Sequence, residues 1–293
     1  MNGAFGVDFN AADLAAEDFA AACGRLAESG TRRFLPTVIT DALPAMEAKV
    51  RQLAALCESH AAAVGLHVEG PFLNPSGGTA GAHPRDSIVP ADLDAAKRLY
   101  DAAGGRLRVF TLAPECDAGL AVTRWLADRG VVVSAGHTDA SRDRLLAAAD
   151  AGLSMVTHVG NGCSQKLPRH DNIVQRAISL SGRLWCCFIA DGVHVPAWAL
   201  RNYIRAAGVG RTVIVSDAMA AAGLGDGRYG IGGVRVNVRG DRAELAGGDG
   251  RLAGSVATAD RLRTVLREIG FGAEADRMMR ANPAAALGLE DAV

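Results

Sequence analysis

The stretch "VVVSAGHTDASRDRLLAAADAGLSMVTHV", residues 131–159, decides the fold. It opens with an apolar, β-branched run, 131–137, that ends in His137. Over 141–151 the apolar residues recur at three- and four-residue spacing, which predicts a helix. A second apolar run, 154–159, carries His158. Strand, helix, strand in this order is a βαβ unit with two parallel strands. Both runs are apolar on both faces, as buried parallel strands are. His137 and His158 are 21 residues apart, about one helix plus one strand, so they sit at matched heights on neighbouring strands.

Outward from this unit the pattern repeats. Further strand runs lie at 32–40, 63–69, 107–113, 184–191 and 212–218, making seven. Helical segments lie at 11–29, 42–59, 92–103, 117–128, 172–180 and 196–206. Alternating β and α elements mean a parallel sheet with helices packed on it. The order predicts an α/β fold, a (β/α)8 TIM-type barrel whose first strand is largely truncated ahead of Met1. Residues 228–247 alternate and turn at Arg-Gly-Asp, which predicts an inserted β-hairpin. Two helices follow, near 255–269 and 273–286. No linker divides the chain, so one domain is expected over 1–293.

Composition narrows the functions. Apolar residues make up 49% and charged residues 22%, and the net charge is −1. That balance excludes broad electrostatic attraction to nucleic acid or an anionic membrane. No apolar run reaches the ~18 residues of a membrane span. The first ten residues lack the basic-then-apolar pattern of a signal peptide. The six cysteines (Cys23, Cys57, Cys116, Cys163, Cys186, Cys187) show no CxxC spacing, so reduced thiols in a cytoplasmic protein are expected.

The strand ends are polar. Glu69, His137, His158 and Asp217 each end a strand run, and Asp191 and His194 follow another. In a parallel barrel these ends converge on one face. Glu69, His137 and His158 suit one divalent ion, Zn²⁺ first, with Fe²⁺, Mn²⁺ or Co²⁺ as alternatives. A cation acidifies water, and a free carboxylate beside it shuttles the proton. Asp217 fits that role. A neutral His83 or His194 would polarise a carbonyl. His67, two residues before Glu69, shares its face and is assigned a core or supporting role. The glycines of 223–233 do not open a helix after a strand, so they are read as turn residues. The sum is metal-assisted hydrolysis of an amide or related bond.

The motifs "HVEGPFLNP", "GAH", "TLAPE", "VSAGHTDA", "THVGN", "IADGVHV", "VSDAMA", "LAGS" and "NPAAALGL" resemble the N-acetylglucosamine-6-phosphate deacetylases of the amidohydrolase superfamily. The match runs from about Asn2 to Leu289. The resemblance implies a metal-centred barrel, usually a homodimer, that removes acetate from a phosphorylated amino sugar. It implies Glu69, His137 and His158 as metal ligands and Asp217 as catalytic acid and base. It implies that His83 contacts the substrate carbonyl and His194 the substrate. Asn161 and Gly162 would hold the sugar phosphate. Arg169 would bind phosphate, often across the dimer. Asn2 resembles the end of the family's QxN sequence.

The chain departs from the family in three places. "THVGNGC" stands for the family's "THxFNAM", so Gly160 and Cys163 remove bulk. The run "PRHDNIV" replaces a Pro-Gly turn, bringing His170 and Asp171 near any phosphate. The segments that build the family's small β-sandwich are missing. Two other readings stand beside the deacetylase. One is an amidohydrolase with another N-acyl or cyclic-amide substrate. The other is a truncated, inactive homologue that binds a sugar phosphate.

Overall fold

The computed structural model describes residues 1–247 and 250–289. A two-strand turn, β1 (Gly3–Ala4) and β2 (Val7–Asp8), leads into helix α1 (Ala16–Glu28). Then strands and helices alternate: β3 (Thr37–Ile39), α2 (Leu43–Glu58), β4 (Leu66–Glu69), α3 (Leu93–Ala102), β5 (Leu107–Leu112) and α4 (Ala121–Ala127). The series continues with β6 (Val132–Ala135), α5 (Arg142–Asp150), β7 (Leu153–Val156), α6 (Ile173–Ser179), β8 (Trp185–Ile189), α7 (Ala197–Ala207) and β9 (Thr212–Val215). Strands β3 to β9 form one curled, all-parallel sheet in chain order, the TIM-type α/β architecture.

Side chains alternate along these strands, as the pleat demands. On β4, Leu66 and Val68 face the helices, while His67 and Glu69 face inward. On β8, Phe188 joins the outer core and Cys187 the inner one. The outer layer is the larger. Helix starts are fixed by side-chain caps: Asp92 accepts from Ala95 N, Ser141 from Arg144 N and Asn172 from Gln175 N. Each removes an orphan backbone donor at a helix start.

Among the described residues the sheet is bridged between β3 and β9 at its top. The Met1 carbonyl accepts from Thr37 N at 2.9 Å, and Asn2 N donates to Ala218 O at 2.6 Å. Met1 and Asn2 thus stand where the upper end of the expected first strand would lie. Below them a cavity of ≈ 760 Å³ runs from Glu69, His158 and Asp217 past Val109, Met155 and Val213. Asn282 covers part of the β9 edge, its amide donating to the carbonyls of Val209 and Thr212.

The expected hairpin is one part of a larger unit. Residues 227–245 form a three-stranded antiparallel meander of β10 (Gly227–Ile231), β11 (Val234–Arg239) and β12 (Arg242–Leu245). Gly232 and Gly233, both at positive φ, make the extra turn. Val236, Val238 and Ala243 pack with Ile39, Met219 and Ala253, which seats the meander over the strand ends. Helix α8 (Ala259–Glu268) and a π-helical turn (Arg277–Ala281) running into α9 (Asn282–Ala286) complete the described chain.

Candidate metal centre

Three strands deliver three donors to one point. Glu69 is the last residue of β4. His137 and His158 lie two residues beyond β6 and β7, where the ladder continues through Gly136 N to Leu112 O and Thr157 N to Ala135 O. At His137, His158 and Asp217 the backbone turns left-handed, with φ of 50°, 29° and 48°. Such values are rare outside glycine and cluster at functional sites. Gly136 has to lack a side chain: a Cβ there would lie 2.5 Å from Thr111 Cγ2.

Glu69 Oε1 lies 3.2 Å from His137 Nε2 and 3.0 Å from His158 Nε2, and all three residues are buried. No other group of three or more His, Cys, Asp or Glu donors this close occurs among the described residues. The spacing fits a cation, because bonds of ~2.0–2.1 Å in a tetrahedron hold neighbouring donors roughly 3.3 Å apart. His137 Nδ1 pairs with the Thr79 carbonyl at 2.7 Å, which fixes the ring with its Nε2 turned toward the centre. Three buried polar atoms around the centre have no partner among the described residues: His158 Nδ1, Asn2 Oδ1 and Asn161 Nδ2. Buried polar groups are rarely left so, and their gathering here marks room for a bound group.

The electrostatics follow from burial. Burial works to raise Glu69, but hydrogen bonds from His137 and His158 outweigh it and hold its carboxylate well below the usual range. Burial works against charge on His158, yet its hydrogen bond to Glu69 raises it to about 9. The cation-free centre is therefore a Glu69 carboxylate on a His158 imidazolium, and a cation displaces that proton. Asp217 is raised, first by burial and then by repulsion from Glu69. Asn2 Nδ2 donates to Asp217 Oδ1 at 3.0 Å.

The flanking histidines differ. His83 stacks edge-on against His137, with ring centroids 4.3 Å apart, and its Nδ1 pairs with Thr40 Oγ1 at 2.8 Å. Burial, then repulsion from His137, lowers His83 to about 3, so it is neutral. His194 donates from Nδ1 to Asp191 Oδ2 at 2.7 Å. The same Asp191 oxygen accepts from Ser255 Oγ at 2.8 Å, while Asp191 Oδ1 takes the backbone N–H groups of Val193 and His194. Burial would raise Asp191, but its hydrogen bond with His194 leads the effects that bring it down to about 2. His67 is no part of the donor group. Its two ring nitrogens pair with Thr37 and Thr111, and burial lowers it to about 4.

Asn161 and Gly162 follow His158 directly, and Asn161 N donates to the His158 carbonyl. Arg169 stands exposed farther along that loop, its guanidinium without a partner among the described residues. Sequence reasoning assigned no role to Thr79, Thr40 or Ser255. Ser255 lies in "LAGS", a motif that marks the family resemblance and not this contact. The Thr79 contact is made by a backbone carbonyl, which no residue type announces.

No family model matches the sequence. The chain is 35% identical over 239 residues to the N-acetylglucosamine-6-phosphate deacetylase of Bacillus subtilis, spanning 80% of this chain and 59% of that protein. It is 35% identical over 301 residues to the enzyme of the same name from Bos taurus, spanning 99% of this chain and 73% of that one. It thus spans less than two thirds of the bacterial relative. A solved structure of a variant N-acetyl-D-glucosamine-6-phosphate deacetylase from Mycobacterium smegmatis, in complex with N-acetyl-D-glucosamine-6-phosphate, superposes with a TM-score of 0.92. It is 31% identical and covers 99% of this chain and 76% of that one.

Proposed function

The chain belongs to the N-acetylglucosamine-6-phosphate deacetylase family, and on that premise we propose that it hydrolyses the N-acetyl group of an amino sugar 6-phosphate. The products are acetate and the free amine. The observation that carries the reading is the meeting of the buried Glu69, His137 and His158 beside the half-buried Asp217. Those three residues hold one divalent cation, Zn²⁺ before Fe²⁺, Mn²⁺ or Co²⁺. When bound, the cation supplies a Lewis acid that acidifies water and polarises the acetyl carbonyl. Asp217, steadied by Asn2, takes the proton from the attacking water. It returns that proton to the nitrogen as the C–N bond breaks, which leaves the carboxylate ionised. A raised pKa suits a group that must both accept and give. His83, neutral and held at Nδ1 by its contact with Thr40 Oγ1, turns its Nε2 toward the acetyl carbonyl and orients it. His194, oriented by Asp191, faces the sugar. Asn161, Gly162 and Arg169 engage the phosphorylated end, where a guanidinium makes a bidentate oxyanion contact.

A homodimer in the cytoplasm, with no nucleic-acid or membrane partner, belongs to the same reading. Among the described residues no helix is long and apolar enough to cross a membrane. A second reading, another N-acyl or cyclic-amide substrate, is supported by room beside the loop. A Cβ at Gly160 would meet only Tyr203, at 3.7 Å.

The test is acetate release by cation-loaded protein from N-acetylglucosamine 6-phosphate, its galactosamine epimer and both unphosphorylated sugars. Faster release from the phosphorylated sugars is expected. Turnover of other acyl or cyclic amides alone would select the second reading. Cation uptake without hydrolysis of any substrate would leave only a sugar-phosphate-binding homologue.

A further inference from the structure

The loop that carries His194 and the turn that carries Asp217 are joined through one residue, Ser255, in the segment between β12 and α8. Ser255 is 1% exposed. Its backbone clasps the chain just beyond β9: its N–H donates to the Asp217 carbonyl at 2.8 Å, and its carbonyl accepts from Met219 N at 3.0 Å. This approach needs the glycine before it. Gly254 has a φ of 71°, and a Cβ there would lie 2.9 Å from Met219 Cβ and 3.2 Å from the Asp217 carbonyl oxygen. The side chain of Ser255 reaches the His194 loop. Its Oγ accepts from Ala257 N at 3.1 Å and donates to Asp191 Oδ2 at 2.8 Å. The direction of the hydroxyl proton is fixed, because Ala257 N–H only donates and an ionised carboxylate only accepts. Asp191 Oδ1 takes two N–H groups of its own loop, whereas Oδ2 takes His194 Nδ1 and Ser255. Ser255 therefore ties the carboxylate behind His194 to a second element of the fold.

We propose that Ser255 is a positioning residue that sets the reach between His194 and Asp217, its backbone on the proton carrier and its hydroxyl on the carboxylate that aims the histidine. The inference rests on the reading in which His194 faces the sugar. An imidazole on a carboxylate can swing with it unless that carboxylate is held from outside its own loop. With Ser255 in place the two groups share one support, so a sugar seated on His194 brings its acetamide to Asp217 in register.

Ser255→Ala removes the hydroxyl and keeps both backbone bonds to the chain beyond β9. With Zn²⁺-loaded protein and N-acetylglucosamine 6-phosphate, kcat/KM should fall about tenfold, the worth of a hydrogen bond to a charged group. The loss should lie mostly in KM, since His194 holds the sugar throughout the reaction. In a His194→Ala background the same change should cost less than about twofold, because Ser255 acts through that ring. Independent losses that multiply, or a fall in kcat alone, overturn the proposal. So does a lower melting temperature with kcat/KM unchanged, which is the mark of a merely structural serine. Should Ser255→Ala fail to fold, Ser255→Cys keeps a similar volume with a weaker donor. A smaller rise in KM is expected there, and an unchanged KM overturns the proposal. A second readout needs no turnover. In a ¹⁵N-edited imidazole spectrum of substrate-free protein, the Nδ1–H signal of His194 should shift in Ser255→Ala or vanish by exchange with water, and an unmoved signal overturns the proposal. A natural chain that releases no acetate would remove the deacetylation instead, and the imidazole signal alone would then decide for or against the tie.

Discussion

At the upper rim of the sheet, groups from seven segments interlock within a few ångströms. Glu69 meets both histidines, Thr79 holds His137, Asn2 holds Asp217, and Asp191 joins His194 to Ser255. Lower on the same strands, Val109, Met155 and Val213 face a cavity of ≈ 760 Å³. The rim is fixed by hydrogen bonds and glycine contacts among its own loops. The lower half is fixed from outside, by residues such as Phe110, Phe188 and Leu126 packed between sheet and helices. The geometry of the centre is thus set locally, while most apolar burial lies on the outer face of the sheet.

The largest expected effect breaks the rim by its chemistry. Asp217→Asn should lower acetate release by about 10²–10⁴-fold, the usual worth of a general acid–base group, with cation content intact by elemental analysis. Glu69→Gln should lose the cation as well. Loss of cation in Asp217→Asn would make Asp217 a ligand rather than the proton carrier. Next comes the contrast between faces of the sheet. Phe188→Ala should cost about 3–5 kcal/mol in denaturant unfolding, because it opens a hole in a packed core. Val213→Ala, already beside open space, should cost under about 2 kcal/mol by the same measure. Equal costs would mean that the inner face is as tightly packed as the outer. The smallest effect concerns protons. His158 is raised to about 9 and must be neutral to ligate, while Glu69 is already ionised. Zn²⁺ affinity should therefore rise with pH up to about 9 and fall by at most about tenfold per unit below it. A flat profile in a calorimetric titration would mean that no proton leaves when the ion enters.

Much of the centre was legible because strand chemistry has period two and the βα repeat has a near-constant length. Glu69 closes a strand run, and the 21-residue step from His137 to His158 spans one repeat. Those two regularities suffice to put three donors at one height. The strands themselves are shorter than their apolar runs: Ala190 and Asp191 leave the ladder after Ile189, and Val131 precedes it. Apolarity reports burial, and burial continues into the loops. The meander lost a strand in the reading because its first turn, Gly232–Gly233, sits inside a run of glycines that carries no unique signal. Helix α1 begins at Ala16 rather than near 11, since Phe9 and Leu14 are buried by packing that precedes the helix. Asn2 on Asp217 joins residues 215 positions apart, and Thr79 acts through its backbone. Neither leaves a periodic trace.

The left-handed backbone at His137, His158 and Asp217 has a consequence for how such a centre changes over generations. Apart from glycine, the residues best tolerated in that conformation are asparagine, aspartate and histidine. Replacements that merely keep these three corners foldable are therefore drawn from a short alphabet rich in groups that bind ions or carry protons. Drift at these corners stays close to working chemistry, even before any demand for activity is imposed.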